Sequence, residues 1–221
     1  MIRDLISLIY PSVCINCNIS LIQAERLICT KCKIDLPHTG DSFHSESEFL
    51  KKFSHNANVK AAASLLYFHQ KGVTQKLLHK LKYEGKRSIG VFLGEEFADK
   101  LMDIPLDFII PVPIHKAKKR KRGYNQSTEI AKGISSKRPI EIREDIVKRN
   151  FSTASQTRKS KVKRWHNMEN VYSQANDIIE GKKVLVIDDV ITTGATVGML
   201  CDRLQEKEVS EIYVGSIARG H

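Results

Sequence analysis

No stretch of 18 consecutive apolar residues occurs in this sequence, which argues against a membrane-spanning helix. No G-x-x-x-x-G-K-[ST] string occurs either. The nearest stretches, "YEGKRS" and "IEGKKV", both miss it, so the chain is not a P-loop ATPase. Aromatic residues make up only 7% and there is one tryptophan, which argues against an extended base-stacking platform. Acid is also short. Lys and Arg number 36 against 25 Asp and Glu, a formal net charge of +11. Such an excess favours polyanions, whether nucleic acid, nucleotides, phosphosugars or an acidic membrane surface. The start, "MIRDLISLIYPSVC", is apolar but short, carries Asp4 and has no clear small-residue cleavage site. It reads as an amphipathic helix and not as a signal peptide, and a cytoplasmic chain is expected.

What is present suits one α/β domain with a small appendage: 221 residues, 41% of them apolar. The basic excess is uneven. "HKAKKRKRG" places six basic residues from Lys116 to Arg122, and "TRKSKVKRW" places five from Arg158 to Arg164. Each run by itself suits a solvated loop, but two runs flanking one predicted fold tip the reading towards anion binding.

Four of the five cysteines form C-x2-C-x11-C-x2-C: Cys14, Cys17, Cys29 and Cys32. Each knuckle offers two thiolates, and the short connector lets them meet on one tetrahedral Zn²⁺. Two disulfides or a redox CxxC are the alternatives, and disulfides need an oxidising compartment. A structural zinc would fold about 40 residues that have too little apolar mass to fold alone. Cys201 lies with Val197, Leu200 and Leu204 at helical spacing and reads as a core thiol. The expected organisation is a zinc-binding segment over 1–40, a polar, turn-rich linker over 41–59, and an α/β domain over 60–221.

From residue 60 the periodicity alternates. Strands are predicted over 61–69, 107–113, 184–187 and 211–218, with helices over 72–83, 89–102, 125–135 and 195–206. This order predicts a parallel sheet covered on both faces, with ligand beyond the carboxyl ends of its strands. At one such end stands "VLVIDDVITTGAT", residues 184–196. Asp188 and Asp189 can accept hydrogen bonds from a vicinal diol or hold Mg²⁺ through water. Thr192, Thr193, Gly194 and Thr196 lead into a helix whose first amides have no partner, so they form a phosphate cradle. A 5-phosphorylated ribose carries both features.

This stretch resembles the phosphoribosyl-pyrophosphate (PRPP) loop of type I phosphoribosyltransferases. With "LKYEGK" (81–86), "IIPVPIHKAKKRKRGYNQ" (109–126), "SQTRKSKVKRWHN" (155–167) and the double CxxC, nearly the whole chain resembles the ComF family, which includes ComFC- and GntX-like proteins. The resemblance implies a type I phosphoribosyltransferase fold, a parallel-sheet core with a flexible hood loop, preceded by a small zinc-binding unit. It implies that Asp188, Asp189, Val190, Thr192, Thr193, Gly194, Ala195 and Thr196 bind PRPP with Mg²⁺. Lys82, His115, Arg122, Asn125, Gln126, Gln156, Arg164 and Asn167 would belong to the pyrophosphate and flexible loops. Lys116, Lys118, Lys119, Arg120, Lys121, Arg158, Lys159, Lys161 and Lys163 would meet nucleic acid or pyrophosphate. Two functions follow from the resemblance. One is a PRPP-binding protein that handles incoming single-stranded DNA beside a helicase-like competence ATPase and recombination proteins. The other is an active phosphoribosyltransferase on an unidentified acceptor.

Overall fold

Among the described residues there are five strands, the longer ones built from runs rich in Val, Ile and Ala: β1 (Val59–Tyr67), β2 (Phe108–Pro111), β3 (Glu141–Ile142), β4 (Lys183–Ile191) and β5 (Glu211–Arg219). In the computed structural model they form one sheet in the order β1-β5-β4-β2-β3. Every pairing is parallel. The structure describes residues 12–44, 47–149, 172 and 179–220. The expected N-terminal helix and the second basic run therefore lie outside the described residues, with Gln156, Arg158, Lys159, Lys161, Lys163, Arg164, Trp165 and Asn167.

The α-helices among the described residues are α1 (Thr30–Ile34), α2 (Glu48–Lys51), α3 (Val73–Tyr83), α4 (Arg87–Ala98), α5 (Lys116–Arg122), α6 (Gln126–Lys137) and α7 (Ala195–Gln205). A parallel sheet is buried on both faces, and alternate residues of β4 show how. Leu185 and Ile187 pack into a core with Leu77, Leu93 and Ile130 from α3, α4 and α6. Val184 and Val186 pack into a second core with Phe53 and with Leu200, Cys201 and Leu204 of α7. Cys201 is fully buried, as the helical spacing implied.

Helices α4 and α6 cross at two glycines. A Cβ on Gly94 would collide with the Ile130 carbonyl, and one on Gly133 with the Val91 carbonyl. Backbone meets backbone there, so no rotamer change relieves the clash. Gly133→Ala is expected to destabilise the protein by about 3 kcal/mol, read as a lower urea midpoint.

The polar stretch 41–59 does more than connect. Ser47 caps α2 by accepting from the Leu50 amide at 3.1 Å, and Phe43, Phe49 and Phe53 are buried. Asp41 receives two hydrogen bonds from the Arg219 guanidinium, at 2.8 and 3.1 Å. The cysteine unit is docked as well. Tyr67 donates its amide to the Pro37 carbonyl at 2.7 Å and Thr39 donates to the Leu65 carbonyl at 3.1 Å, so this segment covers the outer edge of β1. Lys33 pairs with Glu96 at 2.8 Å, Arg26 with Glu95, and Lys76 donates to Asn16 Oδ1 at 3.0 Å. Cys14, Cys29, Cys32, Ile28 and Leu36 share the core of α3 and α4.

Strand order positions the site. From β4 the chain moves through α7 to β5, and from β2 it moves through α5 and α6 to β3 on the other side. Adjacent strands whose connections depart in opposite directions leave a crevice at their carboxyl ends. Strand β2 stops at Pro111, which pairs with Ile187, whereas β4 continues to Ile191 along β5. The strand therefore runs four residues past the predicted end and carries Asp188 and Asp189 within it. Their edge faces open space where β2 would have continued.

Candidate functional site

A cavity of about 310 Å³ fills this crevice. Its floor is Asp188, Asp189 and Val190; one wall is Thr192 to Val197, and the other is Val112 and Ile114 after β2. Lys82, Lys118, Arg122 and Arg149 line it as well, with Tyr83 and Gln126. Four cations thus surround two carboxylates.

The acids are held differently. Asp189 is buried, and the Lys82 ammonium lies 2.6 Å from Oδ2, which also accepts from Gln126 Nε2 at 3.3 Å. Asp188 is half-buried, and its Oδ1 accepts from the Ser127 hydroxyl at 2.9 Å and from the Asp189 amide at 2.8 Å. Burial raises the Asp188 carboxyl to about 7, helped by the neighbouring Asp189 charge and opposed by those two donors and Lys82. One carboxylate is thus salt-bridged, and the other titrates near neutrality.

The loop that follows is shaped by Gly194, which takes φ 81° as the N-cap of α7. A Cβ there would come within 3.2 Å of Lys52 Cβ and Phe53 Cε1, so conformation and crowding both require glycine. The Lys52 ammonium donates to the Thr192 carbonyl at 2.7 Å and pins the loop from the stretch 41–59. Residues 192–197, the threonine loop and the first turn of α7, line the cavity, and the Thr193 hydroxyl accepts from the Ala195 amide at 3.4 Å; a helix N-terminus there suits an anion.

The first basic run folds as α5, not as an open loop. His115 caps it by accepting from the Ala117 amide at 3.3 Å, and Gly123 ends it at φ 80°. The helix sorts its cations. Lys118 and Arg122, one turn apart, line the cavity, whereas Lys119 reaches Glu144 at 3.4 Å. His115, Lys116, Lys119, Arg120 and Lys121 are not among the cavity's lining residues. Burial lowers the Lys118 ammonium, and Arg149, Arg122 and Lys82 push it further down against the pull of Asp189. Asn125 braces the site from behind. It caps α6 through the Ser127 amide at 3.2 Å and donates to the Val112 carbonyl at 3.0 Å. Sequence reading missed Ser127, Arg149, Tyr83 and Lys52. Ser127 stands two residues after a capping Asn, and that cap was its only local signal.

In the N-terminal unit the Sγ atoms of Cys14, Cys17, Cys29 and Cys32 all lie within 4.8 Å of one another, and those of Cys17 and Cys29 are 3.7 Å apart. Tetrahedral bonds of 2.3 Å would separate sulfurs by about 3.8 Å, so the cluster can hold a metal ion. Amides of Cys29 and Cys32 point at Cys14 Sγ (3.4 Å) and Cys29 Sγ (3.5 Å), and Asn16 Nδ2 donates to Cys32 Sγ at 3.3 Å. Burial raises the Cys14 thiol, but amides of Cys17, Cys29 and Asn16 outweigh it and bring it down to about 6, whereas at Cys32 the Asn16 donor is outweighed by burial and the other three thiols, which raise it to about 12. These donors are the outer support that thiolate ligands require.

Residues 87–221, more than half the chain, match the family model of the phosphoribosyl transferase domain. The chain is also 28% identical to competence protein F of Haemophilus influenzae over 220 residues, 93% of this chain and 96% of that protein. It belongs to the ComF family of phosphoribosyltransferase-like proteins. The ComF-family chain is 24% identical to competence protein ComFC of Bacillus subtilis, covering 88% of this chain and 78% of that one. Among solved structures, a glutamine PRPP amidotransferase from B. subtilis complexed with ADP and GMP aligns at 22% identity. That alignment has a TM-score of 0.44 and covers 59% of this chain and 26% of that one. No helix among the described residues of the ComF-family chain is long and apolar enough to cross a membrane.

Proposed function

We propose that the chain binds PRPP with Mg²⁺ in the cavity between β4 and β2 and acts in natural transformation, in the cytoplasm, on incoming single-stranded DNA. One observation carries the ligand. A single cavity joins two carboxylates for a ribose diol, a threonine-rich helix N-terminus for a 5-phosphate, and Lys82, Lys118, Arg122 and Arg149 for a pyrophosphate. The donor set also suits Mg²⁺, a hard cation that takes carboxylate oxygen. Lys82 neutralises Asp189 in this structure, so Mg²⁺ at that carboxylate would release the Lys82 ammonium towards the pyrophosphate. Bound Mg²⁺ would neutralise pyrophosphate charge. The names of the competence relatives support the biological role, together with the +11 charge. A helicase-like competence ATPase and recombination proteins are the partners this role requires. Zn²⁺ is the ion the four thiolates suit, as a closed structural site.

Isothermal calorimetry with PRPP and Mg²⁺ tests the ligand. Binding at micromolar concentrations is expected, and the same titration without Mg²⁺ should be at least about tenfold weaker. Absence of heat with Mg²⁺ at millimolar PRPP would sink the assignment.

The second reading, transfer of the phosphoribosyl group to an acceptor, is favoured by the same cavity, which brings the carboxylates Asp188 and Asp189 together with the cations Lys82, Lys118 and Arg122. The chain's own part would be to orient the ribose through Asp188 and Asp189 and to hold leaving-group charge on Lys82, Lys118 and Arg122. Pyrophosphate release in the presence of candidate bases and amines distinguishes it from binding alone.

A further inference from the structure

Beside the cavity, where α3 ends next to α5, lies a second pocket of about 270 Å³. It is lined by Lys82, Tyr83, Gly85, Lys118, Lys121 and Arg122, with no acid among them. All of these except Gly85 and Lys121 also line the cavity, so the two spaces share a wall of three cations and a phenol. Tyr83 is 65% exposed, with the Arg122 guanidinium 5.4 Å from its ring centroid and the His79 ring 4.9 Å away. The nearest acid in sequence, Glu84, is engaged by Lys80 at 2.9 Å and His79 at 3.6 Å and lines a different hollow.

PRPP has no aromatic base, so an exposed ring beside a cluster of cations has no use in holding it. A nucleotide has one for each: a phosphate for the cations and a base for the ring. Stacking on an aromatic face is tolerant of sequence, and phosphate contacts carry no sequence information at all.

We infer that this second pocket takes one nucleotide unit of single-stranded DNA, its phosphate on Lys118, Lys121 and Arg122 and its base on Tyr83, and that PRPP and the strand weaken each other's binding. The strand as occupant and the coupling both rest on the function proposed above. The coupling follows from the shared wall. Lys82, Lys118 and Arg122 offer one set of positive charges to two polyanions, and charge neutralised by the first ligand is lost to the second. By linkage the effect is reciprocal.

The test uses the full chain and a fluorescently labelled single-stranded 10-mer. Saturating PRPP with Mg²⁺ is expected to raise the dissociation constant of the strand about fivefold or more at low salt, and saturating strand to raise that of PRPP by the same factor. Added salt should shrink both effects. Lys121→Ala is expected to reduce the slope of log affinity against log salt by about 0.7 without changing PRPP affinity, because Lys121 lies outside the cavity. Tyr83→Leu should weaken the strand with the slope unchanged, since stacking releases no counterion. Strand binding indifferent to PRPP would overturn the coupling. Strand binding indifferent to both substitutions would overturn the pocket assignment, and a mononucleotide binding as tightly as the 10-mer would overturn the strand as its occupant. PRPP titrated without strand reports separately on the cavity, so failure of that reading is told apart from failure of this one.

Discussion

Replacing Asp188 and Asp189 together by asparagine is expected to weaken PRPP binding by at least about a hundredfold while the chain still folds. Each carboxylate can make charge-assisted hydrogen bonds to a hydroxyl, each worth about 1.5–3 kcal/mol, and two such losses compound to that factor or more. Asparagine keeps an oxygen where Ser127 and the Asp189 amide now donate to Asp188, so the local hydrogen bonds survive. Calorimetry gives the affinity and circular dichroism the fold; a double variant that still binds PRPP tightly would displace the ribose from these acids. The single substitutions should separate. The folded-state pKa of Asp188, about 7, lies above the value near 3.9 of an unfolded chain. The folded protein therefore holds the extra proton between those values, and stability falls as pH rises through that window. Asp188→Asn removes this loss. The variant should gain roughly 2–4 kcal/mol over the parent at pH 8 and nothing at pH 3, measured by urea unfolding at both. Asp189→Asn should destabilise instead, because it leaves the Lys82 ammonium without its partner at 2.6 Å.

Stripping the metal from the four cysteines is expected to be more damaging than any single substitution at the cavity. Zinc bound by thiolates contributes on the order of 10–16 kcal/mol to folding small units. Here the unit does not unfold in isolation, because Cys14, Cys29, Cys32, Ile28 and Leu36 belong to the core that includes Leu77 and Leu93. A strong chelator should release about one equivalent of Zn²⁺ per chain, lower the melting temperature and open residues 12–40 to proteolysis. Cys29→Ser, which removes one of the buried ligands, should reproduce the effect. A chelated protein with unchanged melting temperature and protease pattern would refute a structural metal.

The sheet was readable where residues declare a period. "VLVI" is apolar and mostly β-branched, and the helices α3, α6 and α7 carry apolar faces, with Asn125 capping α6. Three features were hidden for physical reasons. Phe43, Phe49 and Phe53 are spaced irregularly among polar residues, so no periodicity revealed that 41–59 is packed. Helix α5 has no apolar face; it forms because Lys, Arg and Ala are good helix formers between a His cap and a left-handed glycine. The site's supporting contacts are non-local. Ser127 and Asp188 are 61 residues apart, and Gln126 and Asp189 are 63 apart. Motif spacing located the two acids and the threonine loop, but only the folded chain shows what braces them.

The order of the strands carries a consequence for how the protein is made. Strand β5 lies between β1 and β4, yet it is the last of the five to leave the ribosome. Until then β1 and β4 have no edge in common, and Asp41 waits for Arg219 across a separation of 178 residues. The nascent chain can complete its cysteine knuckles early and its sheet only at the end. Closure of such long-range pairings is slow, so the unpaired edges of β1 and β4 are the surfaces a chaperone would have to shield during translation.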